Sequence, residues 1–164
     1  MIQVRQAVLE DVPQIQRLAY KYIGEYDFYT DEELRKWIDY TVVAVLGCRV
    51  VGICIGCSYA DEEQGQYAFE LRGIAVDVLY RGRDVAARMV KRLVCKLENG
   101  KGFCLARGTV SKAPVGRALQ SVGFELERTI PDYWQMVRRC KECCDSGDCA
   151  CHCVCHLYTI EKVG

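Results

Sequence analysis

Between Phe69 and Arg92 a strand-like run, an Arg-Gly turn and an amphipathic helix follow one another without a spacer, and no other segment restricts the fold as much. From Leu71 to Val78, Ile74, Ala75, Val76 and Val78 form a short apolar run suited to a largely buried strand. Tyr80-Arg81-Gly82-Arg83-Asp84 interrupts it with a glycine and three charges. Val85, Ala86, Met89, Val90, Leu93, Val94 and Leu97 then recur at three- and four-residue spacing, with Arg88, Lys91, Arg92 and Lys96 on the other face, which is the pattern of an amphipathic helix.

The helix therefore opens directly out of the turn. A helix N-terminus leaves backbone N–H groups unpaired and carries partial positive charge, so such a loop can hold a phosphate or pyrophosphate. Arg81 and Arg83 add charge-assisted donors. The competing reading is a plain strand-to-helix connection whose arginines are only solvated.

Glu70-Leu71-Arg72-Gly73-Ile74-Ala75-Val76, followed by Tyr80-Arg81-Gly82-Arg83-Asp84-Val85-Ala86, resembles the central strand and pyrophosphate loop of the GNAT superfamily of acyl-CoA-dependent N-acetyltransferases. The family's loop has Arg or Gln, two variable residues, Gly, one variable residue, then Gly or Ala. That pattern puts its Arg at Arg81 and its last small residue at Ala86, with Asp84 in place of the middle glycine. An acidic side chain there weakens diphosphate binding unless it points away or caps the helix through its carboxylate, a role Asp favours.

The resemblance implies an α/β (α+β) fold with a GNAT-like mixed, centrally splayed sheet of six to seven strands flanked by helices. It implies acetyl-CoA as cosubstrate, contacted by Ile74, Ala75 and Val76 and by Arg81, Gly82, Arg83, Asp84, Val85 and Ala86. Glu70 stands where many members carry a general base that takes a proton from the acceptor amine. Glu70 is equally placed to pair with Arg72 on the same strand face.

Other segments follow the family order. Met1 to Arg5 reads as a first strand, and Glu10-Asp11-Val12-Pro13 opens a helix with Val12, Ile15, Leu18, Ala19 and Ile23 on one face. Thr30-Asp31-Glu32-Glu33 has the form of a capping box before a second helix carrying Leu34, Trp37 and Ile38. The apolar run from Thr41 to Ala60 contains Arg49 and many β-branched residues, so strands at 42–46 and 50–59 joined at Gly47-Cys48-Arg49 explain it better than a membrane span.

Later, Phe103 to Val110 reads as a fifth strand, Pro114 to Val122 as a short helix ending at Gly123, Phe124 to Glu127 as a sixth strand and Leu157 to Glu161 as a seventh. Many GNAT members carry a tyrosine five residues before the phenylalanine of this Gly-Phe pair, as general acid toward the departing thiolate; here that residue is Leu119. An asparagine that often holds the pantetheine arm is also missing, its place falling near Ser111 or Lys112.

A chain of 164 residues suits one domain, 1–164, and 22 Lys and Arg against 22 Asp and Glu leave no global field for nucleic acid or anionic lipid. The N-terminus lacks the apolar core of a secretory signal, which points to a cytoplasmic protein with no membrane partner.

That compartment matters for the 12 cysteines, since a reducing environment favours metal ligation over disulfides. Cys48, Cys54, Cys57, Cys95 and Cys104 are scattered in apolar segments and suit the core, whereas Cys140, Cys143, Cys144, Cys149, Cys151, Cys153 and Cys155 crowd together with His152 and His156. The cluster falls in an expected insertion, 129–156, between the last two strands, beside the acceptor pocket in GNAT enzymes. One structural zinc held by Cys140, Cys143, Cys149 and Cys151 is the expected arrangement, because a C-x-x-C arm and the nearest C-x-C arm close the shortest loop. Cys153, Cys155 and His152 are the substitutes. An iron–sulfur cluster and disulfides are the alternatives.

Two functions fit. One is acetyl-CoA-dependent transfer of an acetyl group to an unidentified amine, on a small molecule or a protein. The other is a metal-binding interaction module on a degenerate GNAT scaffold, recognising nucleic acid or protein through Arg138, Arg139 and Lys141 near Tyr133 and Trp134. Interspersed acidic residues dilute that patch and make nucleic acid the weaker partner. A homodimer is compatible with either.

Overall fold

The computed structural model describes residues 1–23, 29–58, 67–96, 100–108, 115–131, 133 and 154–162. Strand β1 (Gln3–Gln6) leads through a 3-10 turn into helix α1 (Val12–Tyr22), and helix α2 (Asp31–Lys36) precedes β2 (Thr41–Leu46) and β3 (Arg49–Ser58). Strand β4 (Tyr67–Val76), helix α3 (Val85–Val94), β5 (Gly100–Gly108), α4 (Gly116–Gln120), β6 (Glu125–Ile130) and β7 (Val154–Lys162) complete the order. The strands form one seven-stranded sheet in the order β1-β2-β3-β4-β5-β7-β6. Every neighbouring pair is antiparallel except β4 with β5.

Alternation along the strands supplies two cores. Val42, Ala44 and Cys54 face Val85, Met89, Val90 and Leu93 of α3 and Leu119 of α4, whereas Val43, Val45, Ile53 and Ile55 face Val12, Ile15 and Leu18 of α1 and Leu34 of α2. Pro13 at the start of α1 loses no intrahelical bond. At α2 the capping box forms as read from the sequence: Glu33 N–H donates to Thr30 Oγ1 at 3.1 Å and Thr30 N–H donates to the Glu33 carboxylate at 3.0 Å.

Several boundaries differ from the sequence reading. Strand β4 begins at Tyr67 and stops at Val76, and Val78 lies exposed in a 3-10 turn, Val78–Tyr80. Asp77 ends the strand: its carboxylate accepts the Leu79 N–H at 3.1 Å and an Arg49 N–H at 2.9 Å. The β6–β7 ladder also runs further than expected, pairing Thr129 with His156 and Ile130 with Cys155, so both ends of the 129–156 stretch belong to strands.

Two irregularities in β4 position everything that follows. Ile55 pairs with Gly73 and Gly56 with Leu71, leaving Arg72 as a bulge that shifts the strand's alternation. On the other edge, β4 meets β5 only at Tyr67–Lys101, Phe69–Gly102 and Glu70–Phe103. Beyond Glu70 the two strands part: β4 stays with β3 to Val76 while β5 stays with β7 to Gly108. The Phe69 ring occupies the space where a β-carbon at residue 102 would stand, so the last shared rows close only over a glycine.

Candidate active site

The split between β4 and β5 opens just past Glu70 and points toward the loop that leads into α3. Residues 81–84 of that loop are exposed, and Gly82 adopts φ +73 with open space around its α-carbon. Asp84 is the N-cap of α3 but makes no side-chain capping bond, so of the two alternatives raised for it, pointing away or capping through its carboxylate, the second does not occur.

Its contribution is conformational. Asp84 has φ 54 and ψ 17, the only left-handed non-glycine among the described residues, and Asp is one of the few side chains that tolerate this region. The backbone thus takes the shape a glycine would give, which explains how Asp stands in the glycine place. The Arg88 N–H closes the first helical bond on the Asp84 carbonyl at 2.9 Å, and the N–H groups of Val85, Ala86 and Ala87 have no role within the helix.

Arg81 folds back on the loop's own base. Its Nε donates to the Val76 carbonyl at 2.9 Å, and its guanidinium lies 5.2 Å from the centre of the Tyr22 ring. Tyr22, the last residue of α1, therefore belongs to the site although the sequence did not single it out. The Leu79 N–H holds the Asp77 carboxyl below the usual carboxylate range against the opposing effect of burial, with Arg49 and Lys21 adding to it. Arg83 is exposed, 5.9 Å from the Tyr80 ring centre.

Glu70 lies on the α1–α2 face and is 7% exposed. Its Oε2 is 3.5 Å from Arg72 Nε and 3.9 Å from the Cys57 thiol, which donates to it. The ion pair foreseen as the competing reading of Glu70 is therefore present, but it is longer than a close charge-assisted hydrogen bond. Arg72 is fixed from outside by the Trp37 ring, 4.7 Å from its guanidinium, and the Tyr29 hydroxyl donates to its carbonyl at 3.1 Å. Burial pushes the Tyr29 phenol strongly upward, so it keeps its proton and remains able to donate.

Tyr133 is half-buried, and its phenol is pushed up first by burial and then by Cys155 and Glu70. It therefore sits in the electrostatic reach of Glu70, a placement the sequence did not signal. Ile74, Ala75 and Val76 occupy the last residues of β4 along the opened edge. Leu119 is fully buried in the core beneath α4 and supplies no polar group at the position the resemblance reserves for an acid.

Cys140, Cys143, Cys149 and Cys151 lie outside the described residues, as do His152, Cys153, Ser111, Lys112, Trp134, Arg138, Arg139 and Lys141. Among the described residues no three Cys, His, Asp or Glu side chains gather where a metal could bind. Cys155 is buried within β7, and the next residue, His156, points to the opposite face with Nδ1 3.2 Å from Thr129 Oγ1. Among those residues no helix is long and apolar enough to cross a membrane.

No protein-family profile matches the chain, and no curated protein matches it by sequence. Solved structures do match by shape. A subunit of the NatC complex bound to Gag peptide and CoA superposes with a TM-score of 0.74 at 13% identity, over 99% of each chain. Arabidopsis thaliana Naa50 in complex with the bisubstrate analogue CoA-Ac-MVNAL gives 0.71 at 13% identity, over 98% of this chain and 99% of that one. The Escherichia coli ribosomal-protein-S18-alanine N-acetyltransferase gives 0.67 at 13% identity, over 100% and 97%. The chain shares the fold of these three structures.

Proposed function

We propose that the protein is an acetyl-CoA-dependent N-acetyltransferase. The observation that carries this reading is the parting of β4 from β5 directly beyond a buried glutamate, with an exposed left-handed turn and helix N-terminus at the far end of the same strand. Ile74 to Val76 lie past the last β4–β5 pair and offer that strand edge to the amides of a pantetheine arm. Backbone N–H groups from Arg81 to Ala86 face the diphosphate, and Arg81, braced on Val76 and Tyr22, adds its charge.

Glu70 accepts the proton of the attacking amine, directly or through water, from the face that also carries Tyr29, Trp37 and Tyr133. The acceptor class we favour is the α-amine of a peptide, supported by the peptide and peptide-like ligands of the two neighbours with the highest TM-scores quoted above. Thiol release from acetyl-CoA across a panel of peptides, lysine derivatives and small amines tests the reading. Release with at least one amine is expected, fastest with peptide α-amines; no release with any of them contradicts it.

The cysteine-rich stretch belongs to the proposal as one structural zinc on Cys140, Cys143, Cys149 and Cys151, supported by the dense thiols and their spacing. Cys155 drops out of the substitutes, because leaving β7 for a metal would break its pairing with Ile130 and expose a buried side chain. Protein purified without added metal should contain about one zinc per chain, unchanged in Cys155→Ser and lost in Cys140→Ser. Metal-free protein with disulfide-paired cysteines would rule the zinc out.

A further inference from the structure

Alternation along β4 assigns each side chain to one face of the sheet, and Arg72 breaks it. Phe69, Leu71 and Val76 pack on the α3–α4 side, whereas Ala75 packs on the α1–α2 side. Strict alternation from Ala75 would place residue 73 with it and residue 72 on the α3–α4 side. The bulge at Arg72 turns that side chain over. Its guanidinium lies 4.7 Å from the centre of the Trp37 ring and its Nε 3.5 Å from Glu70 Oε2, so it shares the α1–α2 side with both.

The backbone is fixed for this purpose as well. The Tyr29 hydroxyl donates to the Arg72 carbonyl at 3.1 Å, and a β-carbon at residue 73 would stand 2.9 Å from that hydroxyl and from Ile23 Cδ1, so Gly73 leaves room for the ring. The ion pair that results is loose, longer than a close charge-assisted hydrogen bond, so the bulge, the glycine and the two rings do not serve to tighten Glu70. The Arg72 side chain keeps 28% of its exposure against 10% for Glu70, which leaves a cation within reach of a ligand directly beside the base.

We propose that Arg72 determines acceptor specificity, selecting amines that carry a carboxylate a few bonds away; this rests on the acetyltransferase reading with Glu70 as base. With the amine at Glu70, a group a few bonds along the acceptor falls at Arg72, because the two side chains are neighbours. A guanidinium presents parallel N–H donors that match a carboxylate, and it can do so while stacked on an aromatic ring. Acceptor and site then exchange partners, the amine on Glu70 and the carboxylate on Arg72. An acceptor with a second cation at that place is repelled. The carboxylate has two sources: the side chain of an acidic first residue in a peptide, or the α-carboxylate of a free amino acid.

Isosteric acid and amide pairs test this. Thiol release from acetyl-CoA is measured with peptides that begin with Asp or Asn and are otherwise identical, and with alanine and alaninamide. From wild type to Arg72→Met, the acid-to-amide ratio of kcat/KM should fall by about 10-fold in at least one pair, the size of a hydrogen bond between charged groups, and the pair that responds identifies the source. Arg72→Lys retains the charge without the fork and should show a smaller fall, so the comparison stands even where the Met variant is too slow to measure. Each ratio is taken within one preparation, so any unfolded fraction cancels. Acid and amide losing equally in both pairs would mean that Arg72 serves only Glu70, and would overturn the proposal. If wild type acetylates no amine at all, the acetyltransferase reading itself fails and this assignment with it, a result distinct from an unchanged ratio.

Discussion

Glu70→Gln is expected to lower kcat by about 100-fold or more while leaving CoA affinity intact. Gln keeps the length and shape of the side chain, and its amide oxygen can still face Cys57 and Arg72, so the strand around it is undisturbed. What it loses is the ability to take a proton from the amine. The structural alternative makes a different forecast: if Glu70 serves only to pair with Arg72, the substitution lowers the melting temperature and leaves turnover per folded molecule unchanged. Arg72 is also held by Trp37 and, through its backbone carbonyl, by Tyr29, so the stability loss should be small in either case. Measuring kcat and melting temperature on one preparation separates the two, and full activity in Glu70→Gln would assign proton removal elsewhere.

Arg81→Glu should reduce CoA affinity by at least about 10-fold, since it removes a charge-assisted donor and places a carboxylate beside a diphosphate. The structure adds a second route to the same result. Arg81 ties the loop to the Val76 carbonyl and the Tyr22 ring, and a glutamate can make neither contact, so the loop loses its brace as well as its charge. Arg83 has neither tie to β4 nor to α1, and reversing its charge should cost less. Equal CoA affinity in wild type and Arg81→Glu, by calorimetric titration, would remove the loop from the binding site.

The strand, turn and helix around this loop were legible because each is written in local chemistry: β-branched residues in β3, a capping box at Thr30, amphipathic spacing in α3. The parting of β4 and β5 was not, since it depends on which rows of two distant segments pair. Only the resemblance anticipated it. Nothing near Arg72 marks a bulge, because the extra residue is defined by its partners in β3.

Asp84 shows the limit of reading a residue by its commonest role. Capping through its carboxylate was one of two alternatives for it, and Asp84 takes the N-cap position with a left-handed backbone and no side-chain capping bond. Tyr22 and Tyr133 reach the site from α1 and from beyond β6, and no sequence spacing joins two such distant positions.

Titration of acetyl-CoA into the wild-type protein, followed by melting temperature, tests the central claim most directly, because a ligand that binds only the folded state must stabilise it. The account predicts a rise that grows with acetyl-CoA concentration, is reproduced by CoA and is diminished in Arg81→Glu. A melting temperature that stays constant up to millimolar acetyl-CoA would contradict it.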